Sequence, residues 1–187
     1  MVKKRLYVFV EGNDDNRYFK RILEPILTNT YFVQIIEYSG LTQKKVAEFI
    51  NSIQSMGADY LFLHDLDCNP CITQCKHKIT AKYNRLEAEK LIIIDKEIES
   101  WYLAGLDEAN SKKLGLVHLK STDDITKENF TEMIPARYRP SRIDFMIEVL
   151  KHYSIKTARR KNKSFAYFSQ RYNHPVTQLI AAATEDS

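Results

Sequence analysis

The chain has 187 residues, 44% hydrophobic and 28% charged, with only five Gly and five Pro. That composition suits one globular domain of ordinary size and excludes disordered, collagenous and low-complexity architectures. No apolar run approaches the ~20 residues that cross a bilayer, and Met1-Val2-Lys3-Lys4-Arg5 leads directly into a strand pattern, so we expect no membrane span, no signal peptide and a cytoplasmic protein. The net charge of +4 is uneven: between Val149 and Thr184 there is no Asp or Glu, while Lys151, Lys156, Arg159, Arg160, Lys161, Lys163 and Arg171 all fall there. This stretch reads either as a basic face for a polyanion or as a solvated helical surface.

The first hundred residues alternate strand and helix patterns, which predicts an α/β fold with a mainly parallel central sheet flanked by helices. Arg5 to Val10 is the first expected strand. Asn13 or Asp14 then caps a helix carrying Tyr18, Phe19, Ile22, Leu23 and Ile26, which Pro25 and Thr28-Asn29-Thr30 are expected to close. Tyr31 to Tyr38, rich in β-branched and aromatic residues, is the second strand. Thr42 caps a helix with Val46, Phe49, Ile50 and Ile53 inward, and Gly57 ends it before a third strand at Tyr60 to His64.

A polar helix is expected from about Thr73 to Ala88, then the strand Leu91-Ile92-Ile93-Ile94 and a helix through Glu97 to Leu103. From residue 106 to Pro140 the pattern is irregular, with one short helix near Lys127 to Met133. Ser141 caps a helix with an apolar stripe of Ile143, Met146, Ile147, Leu150 and Tyr153, and a further amphipathic piece covers Ser164 to Tyr172. Residues 1–105 are therefore expected to form the α/β core, and 106–187 an irregular segment and basic helical extension within one domain.

Two apolar strands stop at carboxylates. Val8-Phe9-Val10 runs into Glu11-Gly12, and Tyr60-Leu61-Phe62-Leu63-His64 runs into Asp65-Leu66-Asp67. In open α/β sheets the carboxyl ends of the strands build the ligand crevice, so these three acids are placed to meet at one edge. Clustered carboxylates repel unless a cation holds them, and Mg²⁺ is the hard ion that oxygen donors select, with Mn²⁺ as a substitute. Glu11, at a strand end beside a helix N-terminus, suits a general base or acid or a metal ligand; taken alone it reads first as a turn residue near a helix dipole, and its acidic neighbours shift that reading. Asp65 and Asp67 flank Leu66, which leaves both carboxylates free to point one way while Leu66 packs into the core.

A glutamate after the first strand and an Asp-x-Asp after the third make the chain resemble the Toprim domains shared by topoisomerases, primases, recombination-mediator proteins and OLD-type nucleases. The resemblance covers about Lys4 to Leu103. It implies a Rossmann-like Toprim fold and a Mg²⁺-dependent phosphoryl-transfer site, with Asp65 and Asp67 as metal ligands and Glu11 as acid–base group or additional ligand. The stretch Asp95-Lys96-Glu97-Ile98-Glu99-Ser100-Trp101 is similar to a segment of small Toprim-like proteins linked to mobile-element defence, which implies Glu97 and Glu99 as further ligands; the alternative is two ordinary helix-start acids.

Cys68, Cys71 and Cys75, with His64 and His77 nearby, have a spacing compatible with zinc. Structural zinc sites pair two separated knuckles and this chain holds no second pair, so zinc is not expected and the thiols are read as reduced. Arg159, Arg160, Lys161 and Lys163 are the expected nucleic-acid contacts, binding phosphates without regard to sequence. The function the resemblance implies is a Mg²⁺-dependent nucleic-acid phosphodiesterase, a Toprim-like nuclease of mobile-element or phage defence, with DNA preferred over RNA as the expected polymer. The expected partners are nucleic acid and either a second copy in a homodimer or a defence-system protein, with no membrane involved. The alternatives are a non-catalytic Toprim-like subunit that binds nucleic acid or protein, and a phosphatase or nucleotide-processing enzyme.

Overall fold

The computed structural model of the chain describes residues 3–67 and 69–171. The chain divides into two compact units, Met1–Ile94 and Asp95–Ser187. The first holds a four-stranded, all-parallel sheet: β1 (Lys4–Val10), β2 (Tyr31–Glu37), β3 (Asp59–Asp65) and β4 (Leu91–Ile94), in the order β2-β1-β3-β4. The mainly parallel α/β sheet expected from the strand–helix alternation is thus present.

One face of this sheet carries an aromatic and aliphatic core. Phe9, Tyr60, Phe62, Leu91 and Ile93 share it with Val46, Ile50 and Ile53 of α3 (Gln43–Ser55), Cys75 and Ile79 of α4 (Ile72–Lys82), and Tyr38, Tyr83 and Leu86. Phe9 stacks on Phe62 at 5.3 Å and Tyr38 lies 4.5 Å from Phe62, ring centre to ring centre. Such pairs add about 0.5–1.5 kcal/mol each to the area they bury. Thr42 caps α3 by accepting the Lys45 amide, and Gly57, at φ +63°, takes the left-handed turn that follows the helix.

The helical stretch after β1 departs from expectation. It runs through α1 (Asn13–Tyr18), a π-helical turn (Phe19–Leu23) and α2 (Glu24–Leu27), so Pro25 does not close it. Pro25 has no amide to give to the preceding turn, and the wider π turn, with the Glu24 amide reaching back to the Phe19 carbonyl, absorbs that loss. Helix α4 ends at Lys82, short of the expected Ala88.

The second unit is helical: α5 (Ile98–Ala104), α6 (Glu108–Leu114), α7 (Lys127–Glu132), a 3₁₀ turn (Ala136–Tyr138), α8 (Arg142–Lys151), α9 (Ile155–Lys161) and α10 (Lys163–Arg171). Ser141 caps α8 as the sequence predicts. Trp101 and Tyr102 of α5 are fully buried, Trp101 against Phe165 and Phe168, and Tyr102 against Phe130. Gly105 is required here, since a Cβ would sit 2.2 Å from the Tyr153 ring. The segment expected to be irregular holds α6, with Asp107 as its cap and Gly115 at φ +82° after its end.

Candidate functional site

Strand order places the topological switch point between β1 and β3, because the chain leaves β1 for β2 on one side and returns across it to β3 on the other. In sheets of this kind the crevice at the carboxyl ends of the strands opens at such a point. Glu11 directly follows β1, Asp65 is the last residue of β3, and Asp67 lies two residues on. All three expected acids of the first unit are therefore at one end of two adjacent strands.

The turn that carries Asp67 is tightly specified. Leu66 is buried in the sheet core and gives its amide to the Ile94 carbonyl, while the Asn69 amide and side chain both bond the Leu66 carbonyl. Asp67 sits at φ +48°, a left-handed conformation that Asn and Asp adopt more readily than other residues with a Cβ. Its side chain is exposed, yet its carboxyl is raised above the ordinary value, first by partial loss of water and then by the charge of Glu11, against smaller pulls from His64 and Lys78. Gly12, by contrast, is extended at φ −153°, and a Cβ there would meet nothing within 4 Å. The turn after Glu11 therefore does not depend on a glycine hinge.

Glu11 lies in a row of polar groups that the sequence reading did not assemble. The β1–β3 register pairs Phe9 with Phe62, and one pleat further on Glu11 comes beside His64. On the other side the Tyr38 amide bonds the Val10 carbonyl and the Ser39 amide the Glu11 carbonyl, which sets Tyr38 beside Glu11. Tyr38 Oη lies 2.7 Å from His64 Nδ1 and 3.1 Å from the Leu63 carbonyl oxygen. Glu11 Oε2, shielded from solvent, is 3.4 Å from the same Nδ1, past the usual hydrogen-bond range of about 2.7–3.2 Å but well within electrostatic reach.

These neighbours set the electrostatics. The His64 imidazole holds the Glu11 carboxyl below its ordinary value; burial opposes it, and the Asp65 amide and the Lys82 charge add to it. Tyr38 is raised well above the ordinary phenol value, by burial first and then by the charges of Glu11, Asp15 and Asp65. Its hydroxyl therefore keeps its proton. Asp15 is the other acid the sequence reading passed over: it is 7% exposed, and its carboxylate accepts the Gly12 amide at 3.3 Å, closing the start of α1. Three residues of separation between Gly12 and Asp15 at a helix start was the signal that could have found it.

The other expected site residues have partners of a different kind. Glu97 accepts the Lys127 amide at 2.5 Å, at the start of α7. Glu99, buried, forms an ion pair with Arg142, whose guanidinium also lies 5.4 Å from the centre of the Phe130 ring. Lys161 is not on the basic face expected of it: it is 6% exposed and its ammonium donates to the Leu106 carbonyl at 2.8 Å and the Leu103 carbonyl at 3.5 Å. Burial lowers its pKa below the ordinary 10.5. Arg160 and Lys163 are exposed and Arg159 is half-buried, with Lys163 3.6 Å from Asp123. Cys75 is buried and Cys71 exposed, and Cys71 Sγ caps α4; Cys68 lies outside the described residues.

Among the described residues, no group of three or more His, Cys, Asp or Glu side chains is spaced to hold a metal ion. Mg²⁺ does not require one, since it keeps several waters and is commonly held by one or two carboxylates together with substrate phosphates. The donors that Glu11, Asp65 and Asp67 offer are all oxygens, the chemistry that suits such an ion.

No family model matches the sequence, and no curated protein does. Among solved structures the chain is similar to the C-terminal region of the Burkholderia pseudomallei OLD protein, with 15% identity, 90% of this chain and 98% of that one covered, and a TM-score of 0.48. It is also similar to the C-terminal region of the Xanthomonas campestris pv. campestris OLD protein, with 12% identity, 93% and 100% covered, and a TM-score of 0.45. No helix among the described residues is long and apolar enough to cross a membrane.

Proposed function

We propose that the protein is a Mg²⁺-dependent phosphodiesterase acting on nucleic acid, DNA in preference to RNA. The observation that carries this reading is the placement of Glu11, Asp65 and Asp67 at the carboxyl ends of β1 and β3, at the switch point of a parallel sheet. Asp65 and Asp67 are the residues that would hold the ion, with Glu11 beside them. A bound Mg²⁺ would supply charge stabilisation at phosphate oxygens and a more acidic water.

The protein's own groups do the rest. Glu11, kept ionised by its His64 and Asp65 neighbours, is available to accept a proton from the attacking water. Asp67 is held in a turn whose backbone is pinned on both sides by Leu66 and Asn69, so its carboxylate is presented from a fixed position. The exposed Arg160 and Lys163, with Arg159, are the cations proposed to contact the phosphate backbone.

The test is to incubate the purified protein with plasmid, single-stranded DNA and RNA in Mg²⁺, Mn²⁺ or EDTA, beside Glu11→Ala. Metal-dependent cleavage that the variant lacks supports the reading. Absence of cleavage from every polymer overturns it in favour of a binding subunit, and hydrolysis of nucleotides alone would mark a small-molecule phosphatase.

A further inference from the structure

We propose that Tyr38 locks His64 in the tautomer that carries its proton on Nδ1, and that this N–H is a positioning group for the Glu11 carboxylate. The second half rests on the reading of Glu11 as a working group of the site; the first half stands on geometry alone.

The three side chains come from the carboxyl ends of three neighbouring strands, at one level. Tyr38, Glu11 and His64 each lie two residues past a member of one cross-strand row, Ile36, Phe9 and Phe62, so by the two-residue pleat they leave the sheet on the same face. They occupy the next step beyond an aromatic core. Tyr38 is 3% exposed and wedged against Phe62 and Tyr83, at 4.5 and 6.1 Å between ring centres. Its hydroxyl therefore has a fixed place.

A count of donors decides the tautomer. Around His64 Nδ1 and Tyr38 Oη stand two acceptors, the Leu63 carbonyl at 3.1 Å from the hydroxyl and the Glu11 carboxylate oxygen Oε2 at 3.4 Å from the ring nitrogen. The phenol has one proton and Nδ1 at most one. If the phenol donates to Nδ1, the Leu63 carbonyl loses its hydroxyl and an unprotonated ring nitrogen, with no hydrogen of its own, lies beside a carboxylate. If the phenol donates to Leu63, its oxygen accepts Nδ1–H at 2.7 Å, and the protonated nitrogen, not a lone pair, lies 3.4 Å from Glu11 Oε2. Only the second arrangement serves both acceptors. It leaves Nε2 as the unprotonated nitrogen, and it ties the orientation of Glu11 to a hydroxyl buried behind it.

Long-range ¹H–¹⁵N correlation of the histidine rings, under conditions where the imidazoles are neutral, reads the tautomer directly. The His64 set is identified among the five histidines by its loss in His64→Gln. The expected spectrum has Nδ1 protonated and Nε2 bare, a mixed or reversed tautomer in Tyr38→Phe, and a displaced Nδ1 resonance in Glu11→Gln. A proton on Nε2 in the parent, or a Tyr38→Phe spectrum identical to the parent's, overturns the proposal whether or not the protein cleaves anything.

Where the parent cleaves nucleic acid, Tyr38→Phe should lower kcat by about tenfold with KM unchanged, the size typical of losing a partner that orients a site residue. His64→Asn, whose amide stands in for Nδ1–H, should retain more activity than His64→Gln, whose amide stands in for Nε2. Equal kcat in the parent, Tyr38→Phe and His64→Gln would show that Glu11 needs no such support. A parent that does not cleave sinks the phosphodiesterase reading and leaves the tautomer to be judged by the spectra.

Discussion

The Asp67 carboxyl, raised first by burial, is raised further by the negative charge of Glu11, although the two residues follow different strands of the sheet. The charge of Glu11 disfavours the ionised form of Asp67, a cost that a bound cation would remove. Asp67→Asn should accordingly melt at or slightly above the parent's temperature in EDTA, by a few tenths of a kcal/mol once solvent screening is allowed for. Asn is the right replacement because it tolerates the left-handed backbone at φ +48°, where Ala would add strain of about 1–2 kcal/mol. With Mn²⁺ or Mg²⁺ at a hundredfold excess over its dissociation constant, the parent should gain about 2.7 kcal/mol and the variant much less. Thermal melts in both conditions check this, and a parent melt insensitive to either metal would remove the metal site.

How far the site could be read beforehand follows from what each residue's neighbours say. Glu11, Asp65 and Asp67 stood out because each follows an apolar run, and an apolar run in this alternation is a parallel strand whose end faces the crevice. Tyr38 and His64 did not, because their role depends on register: only the pairing of Phe9 with Phe62, and of Tyr38 N with the Val10 carbonyl, brings them to Glu11. Pro25 misled because a π turn was not expected to absorb its missing amide, and α6 was overlooked because only Ser111 and Leu114 of its seven residues are buried, too few to make a stripe. Lys161 was assigned to the surface from its basic neighbours, but the sequence carries no mark of the Leu103 and Leu106 carbonyls that bind it.

Lys161 makes stability depend on pH. Its folded-state pKa lies below the unfolded 10.5, so between the two values the unfolded chain binds a proton that the folded one does not, and stability rises with pH across that window. Below the folded value the cost of burying the ammonium is present in full. Lys161→Met should lose this rise and be less stable by about 1–3 kcal/mol, because the Leu106 carbonyl is left without its donor. Urea unfolding at a series of alkaline pH values tests it, with the gap between parent and variant widening as pH climbs.

Tyr60 acts in the opposite sense from its ordinary value of 10.0 upward. Its hydroxyl accepts the Glu87 amide at 3.1 Å from a buried position, and its pKa is pushed up to about 12, chiefly by burial. Between the ordinary 10.0 and that value the unfolded chain releases a proton the folded chain keeps, so stability falls as pH rises. The loss amounts to up to about 2.7 kcal/mol over the window. Tyr60→Phe should flatten this part of the profile at a cost of about 1 kcal/mol below it. A Phe variant with the parent's alkaline slope would contradict the assignment.

Glu99 and Arg142 form a pair in which the glutamate side chain is 4% exposed and the arginine 25%. Removing one member of such a pair strands the other's charge, which costs about 3–5 kcal/mol, whereas replacing both with apolar residues costs far less. Glu99→Gln and Arg142→Met should each be strongly destabilised and the double variant Glu99→Leu/Arg142→Met largely restored. Metal titration of the double variant should match the parent if Glu99 is structural. A large loss of Mn²⁺ affinity there would return Glu99 to the ligand set.

The basic tail separates into cations that can meet a phosphate and one that cannot. Arg160 is exposed and Arg159 half-buried, while the Lys161 ammonium is committed to backbone carbonyls. On duplex DNA each phosphate neutralised contributes about 0.9 to the slope of log affinity against log salt. Replacing both arginines by glutamate should weaken binding across all sequences and lower that slope by about 1–2, whereas Lys161→Met should leave it untouched. Fluorescence anisotropy with a labelled duplex over a salt series measures both. The contrast matters more than either value: a slope that drops for Lys161→Met but not for the arginine pair would mean that the tail binds through a rearranged α9, and a slope unchanged in all variants would make this face a solvated surface with no part in polyanion binding.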